Sequence, residues 1–193
     1  MFSFKIRFLT VLSSLLLFGM ATQAEVSYSM PSLEIGARLN TADQTGATSN
    51  KQSQAFQFGG SIVFNFGSDD VKNFGLKTGL SYIERSFKNE TGSQKIEGKI
   101  TYADVPLHFM FKFEDYAGIF IGPSLAMKMS DECTGCSSGA AGVKSSIMPI
   151  TFGGQFKFSP NLGLTLFFEK AGDLATDIKD SRAIGLSLLL VFD

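Results

Sequence analysis

The chain has 193 residues, enough for one domain and short for two. Its formal charge is only −1, and charged residues make up 18%, below the usual quarter; nothing in that balance suggests nucleic acid, which calls for a basic stripe. Phe and Gly, at 20 residues each, are abundant and Trp is absent, which leaves a thin polar surface for a water-soluble domain.

The first element reads as an export signal. Lys5 and Arg7 form a positive start, residues 8–20 an apolar core, and Ala21-Thr22-Gln23-Ala24 the small residues that a signal peptidase accepts. Thirteen mostly apolar residues are short for a spanning helix, and no cysteine at the cleavage site invites lipoprotein processing. The reading is therefore a signal peptide over 1–24 and one domain over 25–193, with a formal charge of −3 once Lys5 and Arg7 are removed.

From Glu25 onward the dominant pattern has a period of two, the signature of strands. Leu33, Ile35, Ala37 and Leu39 alternate with Glu34, Gly36, Arg38 and Asn40 in a first strand. Phe56, Phe58, Ile62, Phe64 and Phe66 mark a second, and Phe74, Leu76, Leu80 and Tyr82 a third. Val105, Leu107, Phe109, Phe111 and Phe113 mark a fourth, and Ile119, Ile121, Leu125 and Met127 a fifth. The stretch over 152–169 supplies a sixth and a seventh around Ser159-Pro160-Asn161, and Ile184, Leu186, Leu188, Leu190 and Phe192 an eighth.

The connections sort by length. Those over 67–73, 114–115 and 159–161 are short, and those over 41–54, 88–99, 130–146 and 171–181 are long and polar. Strict alternation of short and long connections is the habit of an up-and-down barrel in an outer membrane, with short periplasmic turns and long outer loops. The second parity decides which face meets water. It is mostly Gly, Ser, Thr, Asn and Gln with a few charges, too small and weakly charged for a solvated exterior but suited to a narrow eight-stranded lumen. The expected fold is all-β, an eight-stranded antiparallel up-and-down transmembrane barrel with its apolar parity toward lipid. A soluble periplasmic lipocalin-like barrel that binds a ligand in an apolar interior is the alternative.

Tyr102-Ala103-Asp104-Val105-Pro106-Leu107 resembles the Tyr-x-acidic-aliphatic-Pro-Leu signature in the central strand of the porin-like outer-membrane β-barrel family. Gly118-Ile119-Phe120-Ile121-Gly122-Pro123 is similar to that family's next strand, and residues 168–192 to its last loop and closing strand. The resemblance implies a small eight-stranded barrel of the OmpA and opacity type in the outer membrane of a Gram-negative bacterium, with no catalytic site, cofactor or defined ligand. It also implies recognition by the barrel insertion machinery through a closing aromatic, here Phe192 with Asp193 after it.

The predicted lumen collects Glu34, Arg38, Lys77, Arg85, Asp104, His108, Lys112 and Glu169, together with Lys128 and Lys157. Charges away from water pair up, so a plug of paired side chains is the favoured reading and a narrow cation-lined pore for small solutes the sharper one. His108 is the only histidine, mid-strand and without the nucleophile and acid of a hydrolytic triad, so it reads as packing and the chain as no enzyme. Cys133 and Cys136 read as a loop disulfide in an oxidising compartment; two cysteines do not make a zinc site, and no metal or cofactor is expected. The expected role is a porin-like or structural surface protein whose partners are outer-membrane lipid, the insertion machinery and any surface ligand met by the four long loops.

Overall fold

A computed structural model describes residues 27–28, 31–66, 73–91, 94–114, 116–134 and 142–192. The signal reading over 1–24, Asp193, and most of the 67–73 connection fall outside these residues. Eight long strands form the molecule: β1 Ser32–Gln44, β2 Ser53–Phe66, β3 Phe74–Thr91, β4 Gln94–Glu114, β5 Ala117–Thr134, β6 Ile150–Ser159, β7 Leu162–Gly172 and β8 Ile178–Val191. Each pairs antiparallel with its neighbours in sequence, as in Phe58 opposite Tyr82 and Phe109 opposite Ile121. The last pairs with the first, Leu188 opposite Ile35, which closes the sheet. Three short pieces lie at its margins: Ser27–Tyr28 on β2, Ser49–Lys51 on β3 and Ser146–Ile147 on β5.

Closure and alternation together fix the two faces. On β4, Phe109 is 63% exposed while its neighbour Met110 is 5% exposed. Phe56, Ile121, Phe152, Leu166 and Leu186 likewise point outward, and 28 large apolar side chains are exposed among the described residues. Burying such a side chain is worth roughly 1.5–3 kcal/mol, so leaving this belt in water would cost more than the whole stability of a typical domain. Monomeric soluble proteins do not carry apolar patches on that scale. The belt is a lipid-facing surface, and the soluble barrel with an apolar interior at its middle is set aside by it.

The belt has edges. Near the short turns an aromatic girdle gathers Phe66, Phe74, Phe113 and Tyr116, with Phe111 on Phe74 and Phe156 on Tyr116. At the other end Tyr82 stacks on Phe58 and directs its hydroxyl to Glu84, 3.3 Å away. Beyond that line the outward parity becomes charged, with Asp43, Glu84, Lys99, Lys170 and Arg182. A crossing strand needs about 9–11 residues. β3, β4 and β5 have 18, 21 and 18, so their outer halves leave the membrane while still paired.

This corrects the four connections expected to be long loops. Residues 88–91 and 94–99 are continuous ladder, leaving 92–93 between β3 and β4. In the 41–54 connection β1 continues to Gln44 and β2 begins at Ser53, with the short strand Ser49–Lys51 between them. In 130–146, β5 continues to Thr134, and 171–181 shrinks to 173–177. The physical reason is that hydrogen-bonded pairing outlasts the apolar alternation: outside the membrane an outward residue no longer has to be apolar.

Candidate functional site

Above the belt the interior changes character. Ala42, Phe87, Ile100, Tyr102, Ala171 and Ile178 turn inward and pack with Leu174, Ala175 and Ile147 into one buried apolar cluster. The outer part of the barrel is thus built like a soluble one, apolar inside and polar outside. Read down β4 from the outer end, the inward residues run Ile100, Tyr102, Asp104, Pro106, His108, Met110 and Lys112. An apolar cap therefore overlies a charged layer, and the charged layer overlies a second apolar group of Val63, Met110, Phe120 and Phe167.

The charged layer joins four strands across the lumen. Arg85 on β3 donates to Asp104 on β4 through both terminal nitrogens, at 3.0 and 2.7 Å, and to Glu169 on β7 at 2.9 and 2.9 Å. Arg38 on β1 meets the same Glu169 at 2.5 Å. All four side chains are buried, between 0% and 3% exposed. Two guanidinium and two carboxylate groups balance in charge, and the bidentate geometry is the strong form of such pairs. Neutral groups take two further donors of Arg38: Nε donates to Asn40 at 3.0 Å and Nη1 to Gln57 at 3.3 Å. Asn40 in turn donates to Ser86 and Gln57 to Ser187. The Arg85 guanidinium also lies 5.1 Å from the Tyr102 ring, which joins the charged layer to the apolar cap.

Below this layer Lys77 on β3 pairs with Glu34 on β1 at 2.5 Å and lies 4.8 Å from the Phe120 ring. Ser61 donates to Glu34 as well. His108 is buried, stacked on Phe120 at 5.2 Å and 11°, with Nε2 3.2 Å from Ser124 Oγ. Asp104 goes to Arg85 and not to His108, and no carboxylate meets His108 Nδ1. Near the short turns Lys112 donates to Asn65. Two glycines make room for the inner aromatics: a Cβ on Gly153 would lie 2.5 Å from the Phe120 ring, and one on Gly185 2.2 Å from that of Phe167.

The sequence-predicted lumen residues thus separate into a four-membered cluster of Arg38, Arg85, Asp104 and Glu169, the pair Glu34–Lys77, His108 beside Ser124, and Lys112 on Asn65. Lys128 belongs elsewhere, on Asp131 at 2.7 Å in the outer part. Lys157 is half-buried near the short turns. Sequence reading did not single out Asn40, Gln57 and Ser86 as the neutral scaffold of Arg38, although Asn40 and Gln57 share its inward parity. Cys133 lies near the outer end of β5 and is not free; Cys136 lies outside the described residues. Outside the membrane, the Lys51 ammonium 2.6 Å away holds the Glu90 carboxyl below its usual range.

No protein-family model and no curated protein matches the chain. Among solved structures it is similar to Neisserial surface protein A, at 16% identity and a TM-score of 0.50, covering 86% of this chain and 99% of that one. It is also similar to Ail, the attachment invasion locus protein of Yersinia pestis, at 15% identity and a TM-score of 0.47, covering 84% and 99%. The chain has the fold of the small outer-membrane β-barrels.

Proposed function

We propose that the chain is an integral outer-membrane protein of a Gram-negative bacterium and acts as a sealed structural barrel presenting an outer surface. In this reading it is neither an open pore nor an enzyme. The observation that carries it is the double closure of the lumen. A solute entering from outside meets the apolar cap around Phe87, Ile100 and Leu174, then the Arg38–Glu169–Arg85–Asp104 cluster. An eight-stranded interior is just wide enough for side chains to fill, and moving an unpaired charge out of such a cluster is costly.

The working surface would be the outer extension, because segments carried on a rigid scaffold are where binding usually resides. It is a wall of paired strands bearing mixed charges such as Lys88–Glu97 and Lys51–Glu90. Surface ligands would meet the 45–52, 92–93, 135–149 and 173–177 connections together with that wall. Phe192, exposed at the end of β8, is the residue offered to the insertion machinery. His108 serves as packing in this reading, since its partners are Phe120 and Ser124 and both are deep in the lumen.

Planar-bilayer recording tests the sealed reading against the narrow pore. Refolded barrel, with insertion verified by its heat-dependent gel mobility, is expected to give no stepwise conductance. Regular steps from the inserted wild-type protein would replace the sealed reading with the pore.

A further inference from the structure

Where β2 meets β3 at the outer margin of the belt, the ladder between them is interrupted. It stops at Gln57 opposite Ile83 and is taken up again by the short strand, at Lys51 opposite Lys88. Between these points side chains hold the backbone. Asn40 Nδ2 donates to the Glu84 carbonyl at 3.4 Å, and the Phe56 N–H donates to Glu84 Oε2 at 3.4 Å. The Glu84 carboxylate thus stands on the outward side at the edge of the lipid-facing surface, its side chain only 12% exposed. Its two oxygens are unequally served. Oε1 accepts from the Tyr82 hydroxyl at 3.3 Å and faces the Lys99 ammonium at 3.2 Å, whereas Oε2 has the Phe56 N–H alone among the described residues.

Two features adjoin this carboxylate. One is aromatic: the ring centroids of Phe56 and Phe58 lie 5.7 Å apart, those of Phe56 and Tyr82 5.8 Å, and those of Phe58 and Tyr82 5.0 Å. Phe56 and Phe58 are 44% and 43% exposed, so the three rings form one accessible surface. The other is an open trough of about 590 Å³ over Ala37, walled by Leu39, Phe56, Leu166, Ile184 and Leu186 and reaching Glu84. The trough has a plain cause. In the row that runs from Leu186 through Ala37 to Phe56, a methyl stands between an isobutyl group and a ring.

The chemistry of the margin selects its occupant. An apolar trough beside lipid suits an alkyl chain. At its head Lys99 stands between Glu84 and Glu132, the latter 4.0 Å away, two carboxylates to one ammonium. Such a rim disfavours a sulfate, phosphate or carboxylate head and favours a cation. The rings then choose among cations. A primary ammonium brings three donors, and an aromatic surface has no lone pairs for them. A quaternary ammonium brings none, and aromatic side chains are its usual recognition surface.

We propose that this margin binds a single-chain amphiphile with a trimethylammonium head, its cation on the Phe56–Phe58–Tyr82 rings beside Glu84 and its chain along the trough at Ala37. The site lies on the outside of the barrel, so it holds whether the lumen is sealed or open.

The test uses the intact barrel refolded in micelles of an uncharged sugar-headed detergent, with the tyrosine ring carbons labelled for NMR. Titration with dodecyltrimethylammonium is expected to shift the Tyr82 resonance saturably and to leave Tyr116, at the opposite rim, unmoved. Dodecyl sulfate, with the same chain and the opposite charge, is expected to move neither. Glu84→Gln is expected to weaken the binding about tenfold, and Phe56→Leu roughly fivefold. Equal shifts at Tyr82 and Tyr116, or an equal response to dodecyl sulfate, would show a coating of the micelle and overturn the site. Unchanged affinity in Glu84→Gln would overturn it as well. Should that variant fail to refold, Phe56→Leu and the wild-type comparison of the two amphiphiles still decide.

Discussion

Glu169 is the residue on which the lumen network turns, because it alone contacts both Arg38 and Arg85. Removing one partner of a buried ion pair leaves the other uncompensated at about 3–5 kcal/mol. Glu169→Ala is therefore expected to destabilise the barrel by about that amount in urea unfolding from lipid vesicles. Adding Arg38→Met should recover part of the loss, since Arg85 then faces Asp104 alone. A Glu169→Ala cost near zero would mean that the cluster does not hold the lumen shut. The exposed pair Lys51–Glu90 makes the contrast: it is solvated and screened, so Lys51→Ala should leave the unfolding midpoint where it was. The sequence reveals which charges share the inward parity. It does not reveal their partners, because Arg38, Arg85 and Glu169 sit on β1, β3 and β7 and meet only across a closed lumen.

At the scale of the element, the strands are legible where they cross lipid and obscure where they leave it. From Phe74 to Tyr82 the alternation is clean because one side of β3 must be apolar and the other must fit a narrow lumen. Past Glu84 the outward side turns polar and the inward side apolar, as at Phe87, and β4 changes register between Thr101 and Tyr102. That bulge and that change of solvent erase the period although the ladder continues, so the periodicity stops short of the strand ends. Two local features make sharp tests. Gly185→Ala drives a methyl into the Phe167 ring and is expected to cost about 1–3 kcal/mol, with Phe167→Leu relieving it in a double-mutant cycle. Independent, additive effects would show that ring and glycine do not interlock. Asp180 adopts φ 46° at an irregularity in β8, a conformation that β-branched residues resist. Asp180→Val should therefore lower thermal stability by about 1–2 kcal/mol, while Asp180→Gly should not; equal effects would argue against strain at that turn of the chain.

For the whole molecule, the barrel reads as two solvents' worth of design on one axis. The membrane part is apolar outside and polar inside, and the outer part is the reverse. The two expectations that the sequence leaves open, a membrane barrel and a soluble one, describe different heights of the same tube. Phe109, 63% exposed in mid-belt, probes the assignment of faces: Phe109→Arg should cost about 2–4 kcal/mol in lipid, the expense of a charge at that depth. An Arg tolerated there without cost would place Phe109 in water. Fold class was legible because parity, strand number and the sorting of short and long connections can all be read locally along the sequence. The seal was not, because the cap draws on residues as distant as Phe87, Ile147 and Leu174.

The central claim, that the exposed belt faces lipid around a closed barrel, is tested most directly by cell fractionation followed by gel electrophoresis with and without boiling. The result expected is a band in the outer-membrane fraction whose mobility shifts on heating, because a closed membrane barrel resists detergent until boiled. A soluble periplasmic band that runs the same before and after heating would contradict the claim.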